Sequence, residues 1–356
     1  MNQFGINQFG GQSLADRVNA ARYALTGQGL ARTVCKATTE ELLPPKKKHL
    51  DYLLQCTHES NVSMPQLGSL LMERALDPAS SWVVVFKTLN TMHHLMCFGH
   101  ERFSQFLASA PDVGLEQISR SFIDRTNTVG GTEMAPFVRR YSGYMLARVS
   151  SFRSQGFDFA KVKRVSDGKG VCFFDFSLDK VLKTLPVLLV QVDSLLEFNA
   201  KQEQLANPVV KGVFILLFRD FVRLFASLND CIIIVLEKFF SLQDTVLARN
   251  CLQVYQDFSF RLDRINAFLK LAQSVGQDIP ELARAPFSLL NSMEAHCLVL
   301  EGKDPTEVLN RKEPVKEEVP PPPSSSNPFM EQQQQQQQDL NPFKETNQTQ
   351  AFNPFL

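Results

Sequence analysis

Apolar residues recur every three or four positions through the first 302 residues of the chain, and there the recurrence stops. Leu178, Val181, Leu182, Leu185, Leu188, Leu189, Val192, Leu195 and Leu196 trace one helix face, because a turn of about 3.6 residues brings i, i+3, i+4 and i+7 to the same side. Asn207-Pro208 reads as an N-cap followed by proline at the first helical position, opening the apolar run from Val213 to Leu228. Comparable patterns predict helices over 65–76, 82–98, 135–152 and 247–273. The stretch "WVVVFK" passes locally for a strand, but it runs into "TLNTMHHLM", which continues at helical spacing. The expected fold is all-α. No clean 30–45-residue repeat stands out, so a helical solenoid would be an irregular one.

Residues 304–356 read differently. Prolines, serines and a seven-glutamine run leave too little apolar surface to offset chain entropy, which predicts a disordered tail.

Charge changes the picture in one place. The chain is neutral overall, with 37 Lys+Arg against 37 Asp+Glu, which argues against a generally cationic nucleic-acid binder. Yet between Arg32 and His49 five basic residues face only Glu40 and Glu41. In "KATTEELLPPKKKHL" (36–50) the double proline is expected to end one helix and start another, which puts Lys46, Lys47, Lys48 and His49 at a helix N-terminus. Cations are disfavoured there by the macrodipole, and the first-turn N–H groups lack partners. A lysine run on a solvated face or in a localisation signal is the ordinary reading; a phosphate-binding site is the sharper one. Successive helical residues are turned by roughly 100°, so Lys47 should point away while Lys46 and His49 share a side.

Upstream, Leu14, Val18, Ala21 and Leu25 lie at helical spacing in "QSLADRVNAARYAL", with Ser13 as N-cap. This amphipathic segment (13–25) fits either packing on the core or lying in a bilayer interface. Residues 1–12 read as a flexible leader without the pattern of a secretory signal. The seven cysteines have no CxxC spacing and read as buried thiols of a reducing compartment. Four charges, Arg219, Asp220, Arg223 and Asp230, interrupt the most apolar segment and exclude a membrane span. His93 and His94 are adjacent and point apart, His296-Cys297 makes no ligand pair, and "SDGKG" lacks P-loop spacing. No enzyme, metal site or cofactor is expected.

Taken together, "VCKATTEELLPPKKKHLDYLLQCT", "SSWVVVFKTLNTMHHLMCFGHERFSQFLAS", "FVRRYSGYM", "FDFAKVKR", "LLEFN" and "PFSLLNSMEAHCLVLEGK" resemble the ANTH domain of the phosphatidylinositol-binding clathrin assembly proteins, in the family's order. The resemblance implies a superhelical stack of helices over 13–303 that binds phosphatidylinositol 4,5-bisphosphate at the cytosolic face of the plasma membrane and at clathrin-coated pits. The family's lipid motif is a lysine, nine residues, a lysine, one residue, a basic residue, then histidine or tyrosine. Lys36, Lys46, Lys48 and His49 fill it, and Pro44 stands where relatives commonly have glycine. "GQSLADRV" is similar to the family's membrane-inserting helix, which favours insertion for Leu14, Val18, Ala21 and Leu25.

The tail carries Asn327-Pro328-Phe329, Asn341-Pro342-Phe343 and Asn353-Pro354-Phe355. In each, asparagine and proline favour a tight turn that presents phenylalanine as a preorganised knob. The three copies resemble ligands of EH domains in endocytic scaffolds. The family's clathrin boxes are absent apart from a weak Asp339-Leu340 remnant, which argues against direct clathrin contact by this chain. The family also holds small vesicle SNAREs on its last helices; Leu236 and Leu262 fall there by position, and packing as core leucines is an equal alternative.

Overall fold

Several of the helices in this chain begin where a short polar side chain takes up first-turn N–H groups. The computed structural model describes residues 28–110, 113–162, 171–279 and 287–311. Helix α1 spans Gly29–Ala37, α2 Lys47–His58, α3 Met64–Leu76, α4 Trp82–Phe98, α5 Glu101–Ser109, α6 Val113–Ser121 and α7 Gly131–Gln155. They are followed by α8 Leu178–Leu196, the short α9 Gln202–Leu205, α10 Pro208–Phe239, α11 Thr245–Ser274, α12 Phe287–Leu300 and the short α13 Thr306–Leu309. Ser81 caps α4 by accepting from the Val84 N–H, Ser177 caps α8, Asn207 caps α10 and Asp244 caps α11. Among the described residues there is no strand.

Helix α4 shows why "WVVVFK" is helical. Every residue from Trp82 to His93 is buried, so its three valines have neighbours on all sides. The Trp82 indole N–H donates to the Val129 carbonyl at 3.1 Å and fixes the start of α4 beside the entry to α7. The stacking follows chain order: α6 packs on α7, α7 on α8, α8 on α10 and α11, and α11 on α12. Such nearest-neighbour packing is what a solenoid requires. No described helix is long and apolar enough to cross a membrane.

The centre of the stack is polar. Asp220 of α10 is fully buried and receives bonds from Tyr144 at 2.6 Å and from the Arg148 guanidinium, and it contacts His93 Nε2 at 2.7 Å. Arg148 also reaches Asp158, at 2.7 Å. Burial opposes charge on His93, but Cys97 and Asp220 outweigh it and push the imidazole up to about 9. Burial likewise opposes the Asp220 carboxylate, while Arg148 and His93 hold it well below the usual carboxylate range. His93, Cys97 and Asp220 lie close enough to ligate a metal, yet the Arg148 guanidinium already sits on both Asp220 and Cys97.

Two expectations need correction. Pro44-Pro45 does not end a helix: α1 stops at Ala37, and an irregular strap runs from Thr38 to α2. The buried threonines Thr38 and Thr39 bond to Arg74 and Lys87 there, which replaces continued helix with side-chain bonding. The second concerns the start of the tail. The folded unit continues past residue 303 to Arg311, because Asp304 accepts from the Thr306 N–H, Val308 is buried, and Arg311 pairs with Glu294.

Candidate functional site

Lys36 sits in the last turn of α1, where a cation suits the helix dipole. Lys46 is the N-cap of α2, and Lys47, Lys48 and His49 form its first turn, where the dipole opposes them. The Lys46 carbonyl accepts the His49 N–H at 2.9 Å, and no side chain caps the helix. The two helix ends are brought together by the strap. Buried Lys87 donates to Thr39 Oγ1 and to the Glu41 carbonyl, both at 3.1 Å. Arg74 donates to the Thr38 carbonyl at 3.2 Å, and Ser81 donates to the Glu40 carboxylate. Pro44 lies against α10 at Gly212, where an added Cβ would come within 3.4 Å of it. The strap is thus held by α3, α4 and α10, so the spacing between Lys36 and Lys46 is built in rather than left to a loose loop.

Electrostatics report which side chains converge. The His49 imidazole is held below its ordinary value by burial first, then by Lys48, Lys36 and Lys46. Lys47 is absent from that set: it is exposed, pairs with Asp51 at 2.7 Å, and helps to depress His94 instead. Lys47 is thus engaged along its own helix with Asp51, whereas Lys36, Lys46 and Lys48 act on His49. Among the described residues the counter-charge is Glu41, whose carboxylate pairs with Lys46 at 2.9 Å. That pairing was not legible beforehand, since it depends on the irregular path of the strap between Glu41 and Lys46. A cluster that suppresses protonation of its own histidine stabilises whatever anion enters it.

Burial and desolvation bring His94 down to about 4. Its ring lies 4.7 Å from Phe98, whose other contact is the Arg219 guanidinium at 4.4 Å. Sequence reasoning did not find this surface group. His296 packs between Phe239 and Phe240, at 5.4 and 5.5 Å, and away from any ligand role with Cys297. Leu236 and Leu262 are both half-buried against the core. Leu14, Val18, Ala21 and Leu25, and the three Asn-Pro-Phe tripeptides, lie outside the described residues.

The model of the ANTH domain matches residues 29–298. The phosphatidylinositol-binding clathrin assembly protein LAP of Drosophila melanogaster is 47% identical over 306 residues, covering 82% of this chain and 64% of that protein. The clathrin coat assembly protein AP180 of Homo sapiens is 47% identical over 298 residues, covering 83% of this chain and 32% of that protein. The chain therefore spans between about a third and two thirds of the length of these relatives. Among solved structures, the ENTH domain from epsin-2 in complex with phosphatidylinositol 4,5-bisphosphate matches with a TM-score of 0.55 at 20% identity, over 76% of this chain and 100% of that one. That likeness bears out the stacked all-α fold.

Proposed function

Because the chain belongs to the ANTH-domain family, we propose that it is an endocytic adaptor that grips phosphatidylinositol 4,5-bisphosphate through Lys36, Lys46, Lys48 and His49. The observation that supports this reading is the strap that fixes the end of α1, with Lys36, beside the start of α2, with Lys46, Lys48 and His49; burial first, then Lys48, Lys36 and Lys46, lower the His49 imidazole. Diffuse attraction is not enough. Each cation near an anionic surface contributes about 1 kcal/mol, so three lysines give about 3, short of the roughly 4 kcal/mol that millimolar binding requires. Directed bonds to the ring phosphates must supply the remainder, and a site held by three helices is suited to give them. The amphipathic segment 13–25 would add apolar anchorage, and the Asn-Pro-Phe turns would recruit EH-domain scaffolds beneath the coat. The names of the relatives, which speak of phosphatidylinositol binding and clathrin assembly, agree with this role.

A second reading, retrieval of small vesicle SNAREs, is favoured by one feature. Ile233 on α10, Phe240 just past its end and Phe260 on α11 are exposed, apolar and near Leu236 and Leu262 in sequence. On that reading lipid binding serves only for localisation.

Vesicle sedimentation separates these readings from a non-specific charge effect. Vesicles with phosphatidylinositol 4,5-bisphosphate should bind the chain far better than phosphatidylserine vesicles of equal surface charge. Equal binding would overturn a shaped headgroup site. A SNARE helix captured by the wild type but lost on Leu236→Ser, with vesicle binding intact, would favour retrieval.

A further inference from the structure

A cavity of about 590 Å³ opens where the end of α8 and the turn after it meet α7 and the C-terminal half of α11. Its rim carries Arg140, Lys201 and Arg264 against one carboxylate, Glu197, and its floor is apolar, with Leu196, Phe268 and Leu271. Arg264 leans on Asp193 at 3.3 Å, a carboxylate that Arg261 already holds at 2.6 Å. Arg140 rests over the Phe137 ring at 5.6 Å, and among the described residues no carboxylate pairs with Arg140 or Lys201.

The cavity wall is rigid for a reason visible in the chain. Phe198 inserts among Phe86, Phe137 and Tyr141, with ring centroids 5.7–6.2 Å away, and Ala200 is buried too. Asn199 must therefore reverse the chain within one residue, and it does so at φ +36°, a left-handed value that asparagine tolerates better than most. Strain of this kind persists only where flanking packing enforces it, and it concentrates at ligand sites.

We propose that this cavity binds a short acidic peptide segment that also carries one bulky apolar side chain. The Arg140 guanidinium and the Lys201 ammonium call for carboxylates, which arginine takes in a bidentate manner. The apolar floor calls for a side chain that a bare headgroup does not have. Glu197 on the rim disfavours a polyphosphate, whose dense charge it would repel, more than it disfavours a peptide whose acids are spaced apart. The site shares no residue with the lysine and histidine cluster and stands independently of the headgroup reading.

Panning of phage-displayed random dodecapeptides on the full chain provides the probe, with Arg140→Glu and Ala267→Trp as parallel baits. The first variant reverses a rim charge. The second fills the cavity from an exposed position without changing charge. The wild type should enrich peptides that combine acidic residues with one aromatic or leucine residue. A fluorescein-labelled copy of the dominant peptide should bind about tenfold more weakly to each variant, while Lys36→Glu/Lys48→Glu leaves its affinity unchanged. Circular dichroism melting of each variant separates loss of binding from loss of fold, and Ala267→Trp carries the test if Arg140→Glu does not fold. No acidic-apolar consensus from the wild type, or a consensus bound equally by Ala267→Trp, would overturn the proposal. So would a fall in vesicle binding on Arg140→Glu as large as on Lys36→Glu/Lys48→Glu, since the rim would then be a membrane contact.

Discussion

Two clusters of charge, one buried around Asp220 and one at the junction of α1 and α2, are treated in opposite ways. In the core, Arg148 is met by Asp158 and Asp220, and the latter also contacts His93 and Tyr144, so buried charge has a partner at every turn. At the junction of α1 and α2, three lysines and a histidine gather around a helix start where, among the described residues, Glu41 pairs with Lys46. Burial explains the first arrangement, because an unpaired ion there would cost several kcal/mol. Solvent permits the second, and the residual repulsion is relieved only when an anion arrives. On the proposed function, the contrast separates residues kept for folding from residues kept for binding.

The largest effect should come from breaking the core cluster. Asp220→Ala removes the carboxylate from His93, Tyr144 and one arm of the Arg148 guanidinium, leaving Asp158 on the other, and should cost about 3–5 kcal/mol of stability, read as a large drop in the urea midpoint. Vesicle affinity of the protein that remains folded should be unchanged. Next comes reversal of the surface cluster. Lys36→Glu/Lys48→Glu should weaken vesicle binding by about 2–4 kcal/mol, at about 1 per charge removed and again per charge reversed, with the melting temperature unchanged or raised. Lys47→Glu in the same assay should cost less, because Lys47 faces Asp51 and His94.

pH sharpens the comparison, since the two histidines are shifted in opposite directions. His93 is raised to about 9 from 6.5, so the stability it contributes is full below pH 6.5 and is lost as pH rises through about 9. Melting temperatures across that window should fall, and less steeply in His93→Gln. Asp220 contributes in the other direction: its share is present at neutral pH and lost on acidification. The smallest effect concerns an exception to the core pattern. Gln191 is fully buried, and among the described residues neither polar atom of its amide has a partner. Gln191→Leu should therefore raise stability by about 1 kcal/mol, with no change in vesicle binding.

Much of this was readable from the chain because it depends on neighbours in sequence. The bounds of α4 and α8, the Asn207 cap and the outward direction of Lys47 follow from periodicity, capping chemistry and helix rotation. What escaped depends on distant partners. Asp220 was legible only as a charge that interrupts an apolar run, because its contact with His93 spans 127 positions and its bond to Arg148 spans 72. The strap escaped for the same reason, since Lys87 and Arg74 hold it from α4 and α3. The cavity beside Asn199 needs four elements to meet and leaves no periodic trace.

The central claim is that Lys36, Lys46, Lys48 and His49 enclose a phosphorylated inositol ring. Its most direct test is the His49 imidazole titration, followed by NMR in the full chain with and without soluble inositol 1,4,5-trisphosphate. Free protein should show His49 below 6.5, and saturating headgroup should raise it, while His94 stays put. A His49 titration that the headgroup leaves unmoved, or one that moves equally in Lys36→Glu/Lys48→Glu, would contradict the account.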